Sequence, residues 1–286
     1  MQIKKLRKYS LLFFLLLISS NVIQAQTWTQ IGNDISGEVS LDRFGYSVSF
    51  SDDGNRVAIG AISNDASGND AGHVRVFEYI SNTWTQIGSD IEGEAEGDNF
   101  GYSVSLSGDG NFLAIGAIYN DGGGKNYGHV RVFEYTAGEW SQKGSDIDGE
   151  AADDNSGISV SINDFGAVVA IGAHLNDGNG NKSGHVRVYE FVSGNWSQLG
   201  PDIDGEDAGD NSGLSISLNA AGNILAIGSP RNNNSFSLAG QVRVYAKNNT
   251  DWIQMGADIE GEGQGDRSGT SVSLSDDGFT IAIGAH

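Results

Sequence analysis

An all-β fold built from repeated four-stranded units is predicted by three observations. The tryptophans Trp28, Trp84, Trp140, Trp196 and Trp252 recur every 56 residues, and so do Gly45, Gly101, Gly157, Gly213 and Gly269. Such spacing marks a tandem array without insertions between copies. Within a copy, "FGYSVSLS" from Phe100 alternates Tyr102, Val104 and Leu106 with serines, the period of two of a strand. The chain's 42 glycines and 2 prolines fall mostly between such runs, as tight turns require.

Each element follows in order. After the first strand and the turn "GDGN" comes "FLAIGA"; a Gly/Asn-rich loop leads to "HVRVFEY", and a short connection leads to "WSQKG". Four short strands per copy, with no helical periodicity, predict a β-propeller of four-stranded antiparallel blades. Radial repetition leaves only short, protected sheet edges. Inner strands begin near residues 44, 100, 156, 212 and 268, so residues 26–286 hold four full blades and part of a fifth, an incomplete ring. The serine face of the first strand (Ser47, Ser49, Ser51; Ser159, Ser161, Asn163) predicts close packing near the axis, its hydroxyls bonding across blades or to axial water.

The chain ends are expected to belong together. The run "TWTQIG" at the N-terminal end is a fourth strand without a blade of its own, and it is expected to complete the final blade. The closing run "SVSLSDDGFTIAIGAH" reads as half a blade. The sequence is expected to be truncated there and to continue with a Gly/Asn/Asp loop and "GHVRVFEY".

Residues 1–25 have the order of a secretory signal peptide: Lys4, Lys5, Arg7 and Lys8, then the apolar run Leu11–Ile18, then a small residue, Ala25. That run is shorter than the roughly 20 residues needed to span a bilayer, so no integral membrane span is expected. Losing the leader removes four of the 16 basic residues and none of the 37 acidic ones, which leaves a formal charge of −25. That balance excludes nucleic acid as a partner and favours cationic ones. There is no cysteine, so the core alone must hold an exported protein.

At "DNFGYSVSLSGDGNFLAIGA" followed by "GHVRVFEY" the chain resembles the FG-GAP repeat, the blade unit of the integrin alpha-chain propeller and of many bacterial surface and secreted proteins. "FG" stands at Phe44-Gly45 and Phe100-Gly101, and becomes Ser-Gly at Ser156, Ser212 and Ser268. "GAP" appears as Gly60-Ala61-Ile62, Gly116-Ala117-Ile118, Gly172-Ala173-His174 and Gly228-Ser229-Pro230. The resemblance implies about seven blades, an extracellular or cell-surface location, and calcium loops between the first two strands. The turns here ("SDDGN", "SGDGN", "NDFGA", "NAAGN", "SDDGF") lack the Asp-x-Asp-x-Asp-Gly pattern that converges oxygens on one ion.

Candidate sites are few. Asp177, Asn179 and Asn181 have the opening spacing of a calcium loop without its closing glutamate, and no cofactor is required. Asp42, Asp98, Asp154, Asp210 and Asp266 precede the inner strands and are expected to close turns by accepting backbone N–H bonds. Arg75, Arg131, Arg187 and Arg243 are expected to pair, bidentate, with carboxylates of the blade connections. His73, His129 and His185 fall in different blades, so they are not expected to meet in one metal site; His174 and His286 match each other and have no third ligand nearby. Pro230, Arg231 and Phe236 break the repeat in one loop and form the best guess for a binding site. No motif of nucleophilic or metal-dependent hydrolysis occurs. The expected function is therefore a non-enzymatic secreted or surface-displayed module binding a protein or glycan. The alternative is the propeller domain of an exported polysaccharide-acting enzyme whose catalytic part lies elsewhere.

Overall fold

The computed structural model describes residues 28–286; the expected leader over 1–25 lies outside them. The chain divides at Ile31, and Gly32–His286 forms one compact unit. Among the described residues there is no helix, and none long and apolar enough to cross a membrane. Trp28–Gln30 forms no strand, so the N-terminal Trp strand expected to complete a blade is not formed.

The first blade comprises strands Phe44–Phe50, Arg56–Ala61, His73–Ile80 and Thr83–Gln86, hydrogen-bonded in that order and all antiparallel. A fifth, two-residue strand, Ile91–Glu92, pairs with His73–Val74 on the same edge of the third strand. The outer edge is thus one strand in two pieces. Three further blades repeat this plan, with third strands His129–Thr136, His185–Val192 and Gln241–Asn248. A final sheet pairs Ser271–Leu274 with Ile281–Gly284. The architecture is the incomplete β-propeller that the repeat predicts.

The core lies between blades. Ala58, Val74, Val76, Ile87 and Ile91 of the first blade pack on Phe100, Leu106, Leu113, Ile115 and Phe133 of the second. The same contact recurs between the second and third blades and between the third and fourth. Both faces of a blade are therefore apolar, and each blade relies on its neighbours for burial.

The first strands are stitched together. Ser47, Ser103, Ser159 and Ser215 each donate Oγ–H to a carbonyl one blade on: Gly101, Gly157, Gly213 and Gly269, at 2.6–2.8 Å. In return, Leu106, Ile162, Leu218 and Leu274 donate their N–H to Ser49, Ser105, Ser161 and Ser217 of the preceding blade. The serine face bonds across blades. The expectation fails for Ser51 and Asn163, which work within their own blade: Ser51 donates to Asp53 and accepts the Arg56 N–H, and Asn163 Oδ1 accepts the Ala167 and Val168 N–H groups. A turn opening into a strand leaves N–H groups to satisfy, and these side chains lie nearest to them.

At those stitches the backbones nearly touch. A Cβ at Gly60, Gly116, Gly172 or Gly228 would overlap the carbonyl oxygen of Gly101, Gly157, Gly213 or Gly269. The receiving glycine has φ of +89° at both Gly101 and Gly157, a left-handed conformation that side chains rarely adopt. The "FG" of one blade thus docks on the "GA" of the blade before it.

The tryptophans hold the outer rim. Trp140, Trp196 and Trp252 donate Nε1–H to the carbonyls of Ile87, Lys143 and Leu199 in the preceding blade, at 3.2, 2.7 and 3.1 Å. Trp196 is buried in the core between the second and third blades. Trp196→Ala should cost about 3–5 kcal/mol, and Trp196→Phe distinctly less, in equilibrium denaturation. A loss under about 1 kcal/mol for the alanine variant would exclude this packing.

Candidate functional site

One end of the blades carries the longer loops. The loops between second and third strands meet the connections between blades there, because the second strand ends and the third begins at the same end as Ile91–Glu92. The two sets of loops are bonded to each other. Ser67 Oγ–H donates to the Gly93 carbonyl, and the Gly97 N–H donates to that of Asn69.

The repeated aspartates sit at the base of this end. Asp98 Oδ2 accepts the Ala95 N–H and the side-chain amide of Asn120, at 3.3 and 2.8 Å. Asp154 does the same with Ala151 and Asn176, and Asp210 with Asp207 and Asn232. Asp42 receives Asn64, and Asp266 the Gly263 N–H. Burial raises the carboxyls of Asp98, Asp154 and Asp210 against the lowering effect of these bonds. The asparagine partners, 22 residues onward, are not evident from the sequence pattern alone.

The arginines do not make bidentate carboxylate pairs. Arg131 Nη2–H donates to the Glu92 carbonyl at 2.6 Å, while Nη1 stands 3.5 Å from Glu94 Oε1. Arg187 joins the Asp148 carbonyl and Glu150, and Arg243 joins the Asp204 carbonyl and Glu206. The carbonyl takes the second donor because the guanidinium lies beneath the connection, over the Phe100 ring at 4.2 Å.

Each of the three strand histidines meets two carboxylates of its own. His73 faces Glu38 and Asp90, His129 faces Glu94 and Asp146, and His185 faces Glu150 and Asp202, one atom from each residue within 4.8 Å of the other two. In the third blade, His185 Nδ1 is 3.9 Å from Glu150 Oε2 and 3.8 Å from Asp202 Oδ2. The remaining carboxylate oxygens are occupied. Arg187 faces Glu150 Oε1, and Gln198 donates to Asp202 Oδ1 at 2.6 Å. Burial, ahead of the charge of Arg187, pushes the His185 imidazole down to about 4. The histidines lie in separate blades, as expected; that each has its own acid pair is new. Their glutamates and aspartates recur with the same period as the histidines, which was the available signal. In the fourth blade Gln241 takes the histidine's place and donates to Glu206 Oε2 at 2.8 Å.

The oxygens of the candidate calcium residues do not converge. Asp177 Oδ1 accepts the Lys182 N–H at 2.7 Å, and Asn179 Nδ2–H donates to the Gly205 and Glu206 carbonyls. Asn181 turns its amide towards Asp177 at 3.5 Å. A loop closed on its own N–H groups presents no converging oxygens. The turns between first and second strands are closed in the same way: the Ser51 hydroxyl and the Asn55 N–H hold Asp53 below the usual carboxylate range.

Of the three residues that break the repeat, Pro230 is buried, whereas Arg231 and Phe236 are exposed. Proline takes the slot that Ile62 and Ile118 fill in other blades, also buried, so it shapes the loop from below.

At the opposite end, Asp52 and Asp164 stand over Gly108; burial first, and repulsion from Asp276 and Asp109, raise both carboxyls.

Residues 36–77 and 92–133 match the FG-GAP repeat. The blade geometry described above continues the unit in the copies that follow. No curated protein matches the chain. Among solved structures it is similar to the periplasmic gluconolactonase PpgL of Pseudomonas aeruginosa, with 17% identity, a TM-score of 0.56, and 83% of this chain and 64% of that one covered. Hydrazine synthase of Kuenenia stuttgartiensis follows, at 14% identity and a TM-score of 0.53, covering 88% and 59%. The Cps50 (Swd1) β-propeller domain of Myceliophteria thermophila aligns at 12% identity and a TM-score of 0.53, covering 90% and 65%. The chain therefore spans less than two thirds of the length of each of these structures. Likeness at this identity carries the fold alone. Two of the three are named as enzymes, however, and this overturns the expectation of a non-enzymatic chain: a propeller of this shape without a familiar catalytic motif is no argument against catalysis.

His174 supplies a pH test. Burial, then the charges of Arg231 and Lys182, push its imidazole down to about 4 from an ordinary 6.5. Between those values the unfolded chain binds a proton that the folded chain does not, so stability falls as pH drops from 6.5 towards 4. His174→Ile, which copies Ile62 and Ile118, should make the denaturation midpoint fall less steeply over that window. An unchanged slope would rule out a partly buried, neutral His174.

Proposed function

We propose that these blades form the ligand-binding scaffold of an exported protein, which engages a protein or glycan partner through its loop-and-connection end. The observation that carries this reading is the regular display of acid on that end. Glu38, Glu94 and Glu150 hold equivalent places in successive blades with 49%, 44% and 43% of their side-chain surface exposed. Their second function, tying down Arg75, Arg131 and Arg187, fixes their spacing. A rigid ladder of carboxylates favours partners that carry cationic groups, and attraction beyond about 8–10 Å is screened by salt.

The fourth loop gives this end its individuality. Arg231 and Phe236 are exposed in a loop whose backbone is pinned below by Asn232–Asp210 and Asn233–Leu238 bonds. An exposed ring on a pinned loop offers a stacking surface for a sugar or an apolar side chain. Export rests on the basic and apolar order of residues 1–25, and an extracellular setting is in keeping with FG-GAP repeats.

Screening the purified chain against glycan and extracellular-protein arrays should yield a ligand whose affinity falls with added salt. For that ligand, Phe236→Ala should weaken binding about tenfold or more, with an unchanged melting temperature. Equal binding after grafting the second blade's loop, residues 119–127, in place of 231–239 would refute the assignment of this loop.

A further inference from the structure

We infer that the His–Glu–Asp groups of the first three blades are three equivalent sites for a divalent transition-metal ion of the zinc type, one per blade. The argument does not rest on the docking reading above, although it gives the same glutamates, Glu38, Glu94 and Glu150, a second role.

The donor set is the first reason. Each group offers one imidazole nitrogen and two carboxylate oxygens, a mixture that suits zinc and its neighbours and not calcium, which takes oxygen ligands throughout. In the third blade the nitrogen-to-oxygen gaps are 3.8 and 3.9 Å. That is too long for a hydrogen bond, and a tetrahedral ion with bonds of about 2.0–2.2 Å would hold its ligand atoms about 3.3–3.6 Å apart, so the groups need close by only a few tenths of an ångström.

The supporting bonds are the second reason. Gln142 and Gln198 hold one oxygen of Asp146 and Asp202, and Arg131 and Arg187 stand against one oxygen of Glu94 and Glu150. In each case the other oxygen is left towards the histidine, the arrangement in which outer partners orient metal ligands.

The third reason is a buried atom without a partner. His73 is 1% exposed, and its Nδ1 has no hydrogen-bond partner although it stands 3.8 Å from Asp90 Oδ2. A buried nitrogen atom without a partner is rare in folded proteins, and a bound ion would satisfy it. The fourth blade is the internal control. Gln241 replaces the histidine and uses its amide to bond Glu206, while Asp258 is still held by Gln254 at 2.6 Å.

The test is titration of the chelator-stripped chain with zinc alone, and separately with calcium alone, by calorimetry, with cobalt absorption reporting nitrogen and oxygen ligation. Three zinc ions per chain are expected, with calcium at least tenfold weaker. His185→Gln should bind two, as should Asp202→Asn, which keeps the buried imidazole should the first variant misfold. Gln241→His should bind four. An unchanged zinc count in these variants, or calcium binding as tightly as zinc, would overturn the inference and leave only a generally acidic surface.

Discussion

The backbone contact between the glycine of "FG" in one blade and the glycine of "GA" in the blade before it sets the spacing of everything else. No side chain can stand between Gly116 and Gly157, or between Gly172 and Gly213. Once the first strands lie that close, Ser103 Oγ reaches the Gly157 carbonyl and Ser105 Oγ receives the Ile162 N–H. The apolar faces further out then close on each other, and the indole of Trp196 arrives beside the carbonyl of Lys143. Because a connection leaves one blade and enters the next at the same end, the close approach also fixes the positions of Glu94 and Glu150 over the third strands.

Departures from the repeat are compensated locally. Where Ser156 and Ser212 replace the phenylalanine of "FG", the third-strand residue is Tyr189 or Tyr245 in place of Phe77 or Phe133, and the arginine keeps its contact with that ring, at 5.5 and 5.6 Å against 5.4 Å on the two phenylalanines. The turns change in step: Ser51 and Asp53 share the work that Asn163 or Asn219 does alone, since one amide oxygen accepts both N–H groups. The geometry of the unit is kept while its chemistry varies, as expected where backbone contacts rather than particular side chains hold neighbouring units together.

The fold was legible in the sequence because its determinants are periodic and local. Alternating serines, the turn glycines and the tryptophans each declare themselves within a few residues and then again 56 residues later. The site was less legible for a physical reason. Glu150 lies 35 residues before His185, and Asp202 17 after it, so only the return of the chain through a blade brings them together. The same holds for Asp98 with Asn120. The second piece of the outer strand, Ile91–Glu92, escaped notice because two residues are too few to show alternation. Asp177, Asn179 and Asn181 have the spacing of ligands, but Asp177 accepts the Lys182 N–H, Asn179 donates to the Gly205 and Glu206 carbonyls, and Asn181 turns its amide nitrogen, not its oxygen, towards Asp177.

The measurement that bears most directly on this account is the unfolding free energy of Gly116→Ala. Gly116 lies outside the left-handed region, so a methyl group there strains no torsion and reports the contact with Gly157 alone. Chain entropy by itself would make the alanine variant more stable by about 0.4–1 kcal/mol. The account predicts the opposite sign, a loss of about 1–3 kcal/mol or more, because the methyl group forces the two blades apart. A variant as stable as the parent chain, or more so, would contradict it.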